Sequence, residues 1–79
     1  MRKQYVPVLR RAVITRINRS LKPEGQRLRA VRGERARRDL GDYYVQDFQR
    51  NLGLQTHVDV EDFARELGVL KSWERLVEE

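Results

Sequence analysis

The sequence predicts an α+β fold: a single small domain in the order α-β-β-β-α, with a three-stranded antiparallel sheet and a short C-terminal helical tail. Three observations predict it. Apolar residues near the start recur at helical spacing, the middle alternates in period two with β-forming residues, and a capped, glycine-closed helical pattern follows. Seventy-nine residues cannot be divided between two cores and leave either stable, so there is one domain and its core is small. Modest stability, or stability supported by a partner, is the expectation.

On a helical wheel Val6, Leu9, Val13, Ile17 and Leu21 fall in one sector, with Ile14 at its border, which predicts an amphipathic helix over residues 6–22. Pro7 then sits in the first turn, where its missing N–H costs nothing. Lys22-Pro23-Glu24-Gly25 ends the helix with a breaker and a turn. On the opposite side Arg11, Thr15, Asn18 and Lys22 form a polar, cationic ridge.

Residues 26–32 are read as a strand, because a hairpin alone is marginal and gains from a third strand, although Leu28, Val31 and Leu40 could also stud a loose helix. An arginine-rich loop, 33–41, joins this strand to a hairpin over 42–58. There Tyr43 and Val45 alternate with Tyr44 and Gln46, and Leu52, Leu54, Thr56 and Val58 follow together. A turn through Phe48-Gln49-Arg50-Asn51, with Asn51 left-handed, pairs Val45 with Leu54 and Tyr43 with Thr56. The core face is then Tyr43, Val45, Leu52, Leu54 and Val58. Asp59 is an N-cap, with Asp62 in the capping-box position, for a helix over 60–67 that buries Val60, Phe63, Ala64 and Leu67 and ends at Gly68. Ser72 caps a last short helix, 72–78, turning Trp73, Leu76 and Val77 inward.

Charge is segregated along the chain. Residues 1–40 hold thirteen Lys/Arg against three acids, a net +10, whereas residues 41–79 hold four against nine, a net −5. Fourteen of the seventeen cations are arginine, whose planar fork binds phosphate or carboxylate bidentately; an arginine-favouring codon bias would leave the same composition. The absence of cysteine excludes disulfides, thiolate metal sites and thiol catalysis, and suits a reducing, cytoplasmic setting. The N-terminal apolar residues are interrupted by arginine every few positions and no small-residue cleavage site follows, so neither a signal peptide nor a membrane span is expected.

Nucleic-acid binding leads the functional classes, because a pI near 10.2, a cationic ridge and an arginine-dense segment together make a phosphate-neutralising surface. The candidate contacts are Arg11, Lys22, Arg27, Arg29, Arg32, Arg35, Arg37 and Arg38. Tyr44, on the non-core face of the sheet with Gln46, Gln55 and His57, is a candidate to stack a base. The plainer alternative, favoured for a small domain, folds Trp73 and the tail over Tyr44 and makes it ordinary core.

The α-β-β-β-α order resembles the double-stranded-RNA-binding domain, but Asp59, Glu61 and Asp62 stand where that family has its basic cluster, which argues against that mode of binding. Phe63-Ala64-Arg65-Glu66-Leu67-Gly68-Val69 resembles the first helix and turn of a helix-turn-helix unit. The reading helix after it would carry Glu74, Glu78 and Glu79 against Arg75 alone and would repel phosphate.

Catalysis has little support. His57 is the only histidine; paired with Arg50 it could activate a ribose hydroxyl as small ribonuclease toxins do, but a strand-end histidine bonded to Asp59 or to backbone explains it more simply. The acids Asp59, Glu61 and Asp62 are what a helix dipole favours in a first turn, and no metal or cofactor is expected. The remaining class is an interaction module, in which the cationic half docks on an acidic protein or on a second copy of the chain.

Overall fold

Val13, Ile17 and Leu21 lie on one side of a helix, and all three are buried, Val13 and Ile17 completely. They form the spine of the core in a computed structural model that describes residues 4–50 and 52–78. The elements are β1 (Val6–Leu9), α1 (Arg10–Leu21), β2 (Gln26–Ala30), α2 (Glu34–Leu40), β3 (Tyr43–Asp47), β4 (Leu52–Gln55), α3 (Val60–Glu66) and β5 (Glu74–Val77). A 3-10 turn over Lys22–Glu24 follows α1. Strands β2, β3 and β4 form an antiparallel sheet in that order, and β1 pairs in parallel with β5. One face of the antiparallel sheet gives Leu28 and Val45 to the core beneath α1. Helix α3 packs Val60 and Ala64 against the same helix. The α+β class therefore stands, while the expected order does not.

The first departure is at the start of α1. Residues 6–9, expected as its first turn, are a strand in register with Glu74–Val77, and only Val8 of the four is buried. Val6 and Leu9 satisfy the helical spacing, but β-branched valines suit a strand, and Pro7, lacking an N–H, is tolerated where one strand edge is open. At the other end the breaker behaves as expected. Gly25 takes φ 71° and closes the 3-10 turn after Lys22, Pro23 and Glu24.

The strand expected at 26–32 is present as β2, whereas the arginine-rich segment is a helix rather than a loop. Gly33 (φ 90°) and Gly41 (φ 78°) bracket α2 at positive φ, which glycine adopts freely; Arg37 N donates to Gly33 O at 3.0 Å and Gly41 N to Arg37 O at 2.8 Å. Ala36 and Leu40, four apart, are its half-buried line, and the arginines between them face solvent.

The hairpin is present with another register. Val45 pairs with Gln55 and Gln46 with Gly53, so Leu54 is the extra residue of a bulge, and Tyr43 O accepts from Val58 N at 3.0 Å instead of facing Thr56. Its turn is held by Asp47, whose Oδ1 accepts from Gln49 N and Arg50 N, each at 3.0 Å. Asn51 lies outside the described residues, among which the non-glycine residue with positive φ is His57, at 53°. Leu52 and Leu54, expected in the core, are 52% and 49% exposed, because the helical layer stops short of the edge strand β4.

Helix α3 matches the capped reading: Asp59 Oδ1 accepts from Asp62 N at 3.0 Å, and Gly68 follows with φ 75°. The last short helix does not form. Residues 74–77 are β5, so Glu74 and Leu76 turn inward, Arg75 turns outward, and Trp73 is 57% exposed rather than buried. With no second helix, the helix-turn-helix resemblance ends at its turn. No helix among the described residues is long and apolar enough to cross a membrane.

Candidate nucleic-acid interface

The alternation of β2 sorts its side chains. Leu28 enters the core, so Arg27 and Arg29 project from the opposite face, where both are exposed. In β3 Gln46 stands opposite Arg27 and Tyr44 opposite Arg29, and Arg29 Nη1 donates to Gln46 Oε1 at 3.3 Å. The face away from α1 thus carries two guanidinium groups beside a half-buried tyrosine and an amide. The reading that folds Trp73 over Tyr44 is overturned: Trp73 is exposed and lines a cleft with Arg16, Arg19 and Ser20 of α1, whereas Tyr44 lies on the sheet face away from that helix.

Beyond β2 the chain is tied to the sheet by Val31 N, which donates to Asp42 O at 2.9 Å, and then enters α2 through exposed Arg32 and Gly33. Arg35, Arg37 and Arg38 are exposed on α2. Glu34 in its first turn and Arg37 and Arg38 in its last match the helix dipole.

The arginines divide into two sets. Arg10 pairs with Glu78, its Nε donating at 2.9 and 3.0 Å, while its guanidinium lies 5.7 Å from the centre of the Tyr43 ring. Arg16 Nη1 reaches Glu74 at 3.0 Å and Val69 O at 3.1 Å. Arg65 bonds Glu61, Lys71 O and Glu74 O, tying α3 to β5, and Arg75 stacks 4.4 Å from the Tyr5 ring centre. The acids of the second half are occupied correspondingly. The Lys71 backbone N–H and Arg16 hold the Glu74 carboxyl below its ordinary range, and Arg10 does the same for Glu78. Bonding to Glu78 in turn raises the already high Arg10 value. By contrast Arg27, Arg29, Arg32, Arg35, Arg37 and Arg38 form no ion pair among the described residues.

Two expected contacts lie elsewhere. Arg11 borders a hollow with Arg10, Ile14, Tyr43 and Glu78, near the start of α1, and Lys22 stands at the other end of that helix, roughly 16 Å away at 1.5 Å per residue. The polar ridge between them is partly turned to structure: Thr15 Oγ1 donates to Arg11 O, and Asn18 Oδ1 accepts from Leu28 N at 2.7 Å, joining α1 to β2. Lys22 does meet Arg27, across a cleft they line with Phe48.

His57 and Arg50 lie at opposite ends of β4 and do not converge. The His57 backbone N donates to Leu40 O at 2.7 Å, and its ring lies over Gly41, with no hydrogen bond to a described residue. Asp59 and Glu61 have structural roles, the first as cap and the second bonded to Arg65 and to Leu76 N.

Sequence reasoning missed Trp73, Phe48, Arg19 and Lys71 as surface groups. The available signal was local: Trp73 stands in Lys71-Ser72-Trp73-Glu74-Arg75, with polar or charged residues on both sides, a poor setting for a core residue. In comparisons with known proteins the chain matches no family profile, no curated protein and no solved structure.

Proposed function

We propose that the protein is a small non-enzymatic nucleic-acid-binding or regulatory protein whose phosphate contacts are Arg27, Arg29, Arg32, Arg35, Arg37 and Arg38. The observation that carries this reading is the division of the arginines. Arg10, Arg16 and Arg65 are neutralised by Glu78, Glu74 and Glu61, whereas the segment 27–38 keeps six exposed guanidinium groups without an ion-pair partner among the described residues. Like charges held together repel one another, and a polyanion relieves that repulsion while releasing its own counterions. Tyr44, beside Arg29 on the open sheet face, is placed to meet a base once phosphates fix the strand. The test is the anisotropy of a labelled oligonucleotide titrated with protein at several salt concentrations. A steep fall of log K with log[salt] supports the reading; no binding at low salt removes it.

A second reading, an interaction module that docks on itself or on an acidic protein, draws on the β1–β5 pair. Parallel strands are ordinarily covered on both faces. Here Val8 and Glu74 take the inner side, and Pro7, Leu9, Arg75 and Val77 are left on the outer one, with Tyr5 under Arg75. Sedimentation analysis over a concentration series separates the two: a dimer that ignores nucleic acid favours this second reading.

A further inference from the structure

We infer that the preferred ligand is a single-stranded nucleic acid whose path runs around the C-terminal end of α1, with one base stacked on Trp73 and another on Phe48. This rests on the nucleic-acid reading above and specifies its ligand.

Two clefts flank that end of α1. The first, of about 480 Å³, lies between Trp73, the C-terminal half of α1 and the turn at Gly68–Val69, with Arg19 and Lys71 on its wall. Its one carboxylate, Glu74, is already satisfied by Arg16 and Lys71 N. The Arg19 guanidinium and the Lys71 ammonium have no ion pair among the described residues, so the cleft presents net positive charge beside an indole that is 57% exposed. The backbone that carries the indole is tied to β1, since Trp73 O accepts from Val6 N at 2.8 Å.

The second cleft, of about 330 Å³, is lined by Lys22, Arg27, Phe48, Asn18 and Gln26, without an acid. Phe48 is 48% exposed, and its backbone is tied to the turn before β2 by its N–H, which donates to Gly25 O at 3.1 Å. Arg19 and Lys22, three residues apart, are neighbours along the helix and join the two clefts. The sequence of groups is therefore aromatic, two cations, two cations, aromatic.

That alternation selects the ligand. Cations alone would accept any polyanion, and the acidic side chains of a peptide have no aromatic face to lay on an indole. A duplex keeps its base faces stacked inside, whereas a single strand exposes them between its phosphates. A free nucleotide would occupy one cleft and leave the other unused; two clefts joined by Arg19 and Lys22 match a polymer.

Trp73 is the only tryptophan, so intrinsic fluorescence reports on the first cleft alone. The full chain is titrated with an oligothymidylate of about fifteen nucleotides, near the upper site size of small single-strand binders. Trp73 emission is read on unlabelled strand and anisotropy on labelled strand. The expected result is quenching that follows binding. Trp73→Ala and Phe48→Ala should each weaken single-strand affinity by about ten-fold, with Trp73→Phe retaining most of it and duplex affinity unchanged. Both side chains are half exposed, and circular dichroism verifies the fold of each variant. Binding of the oligonucleotide with unchanged Trp73 emission and undiminished affinity in both alanine variants overturns the path while leaving nucleic-acid binding intact. Absence of any binding at low salt overturns both. Quenching by polyglutamate as strong as by the oligonucleotide assigns the cleft to acidic peptides and also overturns it.

Discussion

Arg16 donates from Nη1 to both carboxylate oxygens of Glu74, at 3.0 and 3.1 Å, and so ties the middle of α1 to the start of β5. Glu74 is the one buried charged residue among those described, and Lys71 N supplies a further donor at 2.9 Å. These bonds hold its carboxyl below the ordinary value of 4.5. A group depressed in the folded state stabilises the fold fully above its unfolded value, and the contribution is lost as pH falls through the folded value. Glu74→Gln should therefore lower the urea midpoint at neutral pH and flatten its decline below pH 4.5. A variant whose acid limb matches that of the wild type would show that the pair does not couple folding to protonation.

The core and the hairpin edge should respond oppositely to truncation. Ile17 is fully buried, so Ile17→Ala is expected to cost about 2–5 kcal/mol, enough to lower Tm by ten degrees or more in a domain of this size. Leu52, although equally apolar, is half exposed, and Leu52→Ser should change stability by no more than about 0.5 kcal/mol. Thermal melts of the two variants check the register found for β4. A large loss at Leu52 would restore it to the core face.

Arg35, Arg37 and Arg38 are exposed on α2, and alanine is at least as good a helix former as arginine. The triple alanine variant should fold normally while the slope of log K against log[salt] for an oligonucleotide flattens by about two to three units. An unchanged slope, with wild-type affinity, would remove α2 from the binding surface.

The two glycines that frame α2 differ in what surrounds them. At Gly33 a methyl group would meet nothing within 4 Å, so Gly33→Ala should cost only the backbone penalty of its positive-φ conformation, about 1–3 kcal/mol. At Gly41 the same methyl would lie 2.7 Å from His57 Cα, a backbone atom that cannot swing away. Gly41→Ala should be the more damaging of the two in chemical denaturation. Equal losses would mean that the His57 turn yields freely.

Much of this structure was legible in local chemistry. The core stripe Val13, Ile17 and Leu21, the breaker at Pro23 and Gly25, the Asp59 cap and the closing Gly68 each depend on residues within a turn or two of one another. Periodicity and cap chemistry report on such segments directly. The basic character of the segment 27–38 was equally visible, because charge density along a chain needs no fold to be read.

Tertiary structure decided what depended on distant partners. Residues 6–9 fit a helical wheel and 72–78 a short helix, and each became a strand because the other, nearly seventy positions away, pairs with it. That pairing turned Glu74 inward against Arg16 and left Trp73 at the surface, so the sequence determined that a tryptophan was present and the fold determined that it could be a site. The division of the arginines arose the same way. Composition sets their number, but which are neutralised follows from where the fold carries the acids: Glu61, Glu74 and Glu78 reach Arg65, Arg16 and Arg10, whereas Arg37, which lines a hollow with Asp42 and Glu78, forms no ion pair among the described residues. Ion pairs form across space, and separation along the chain does not encode them.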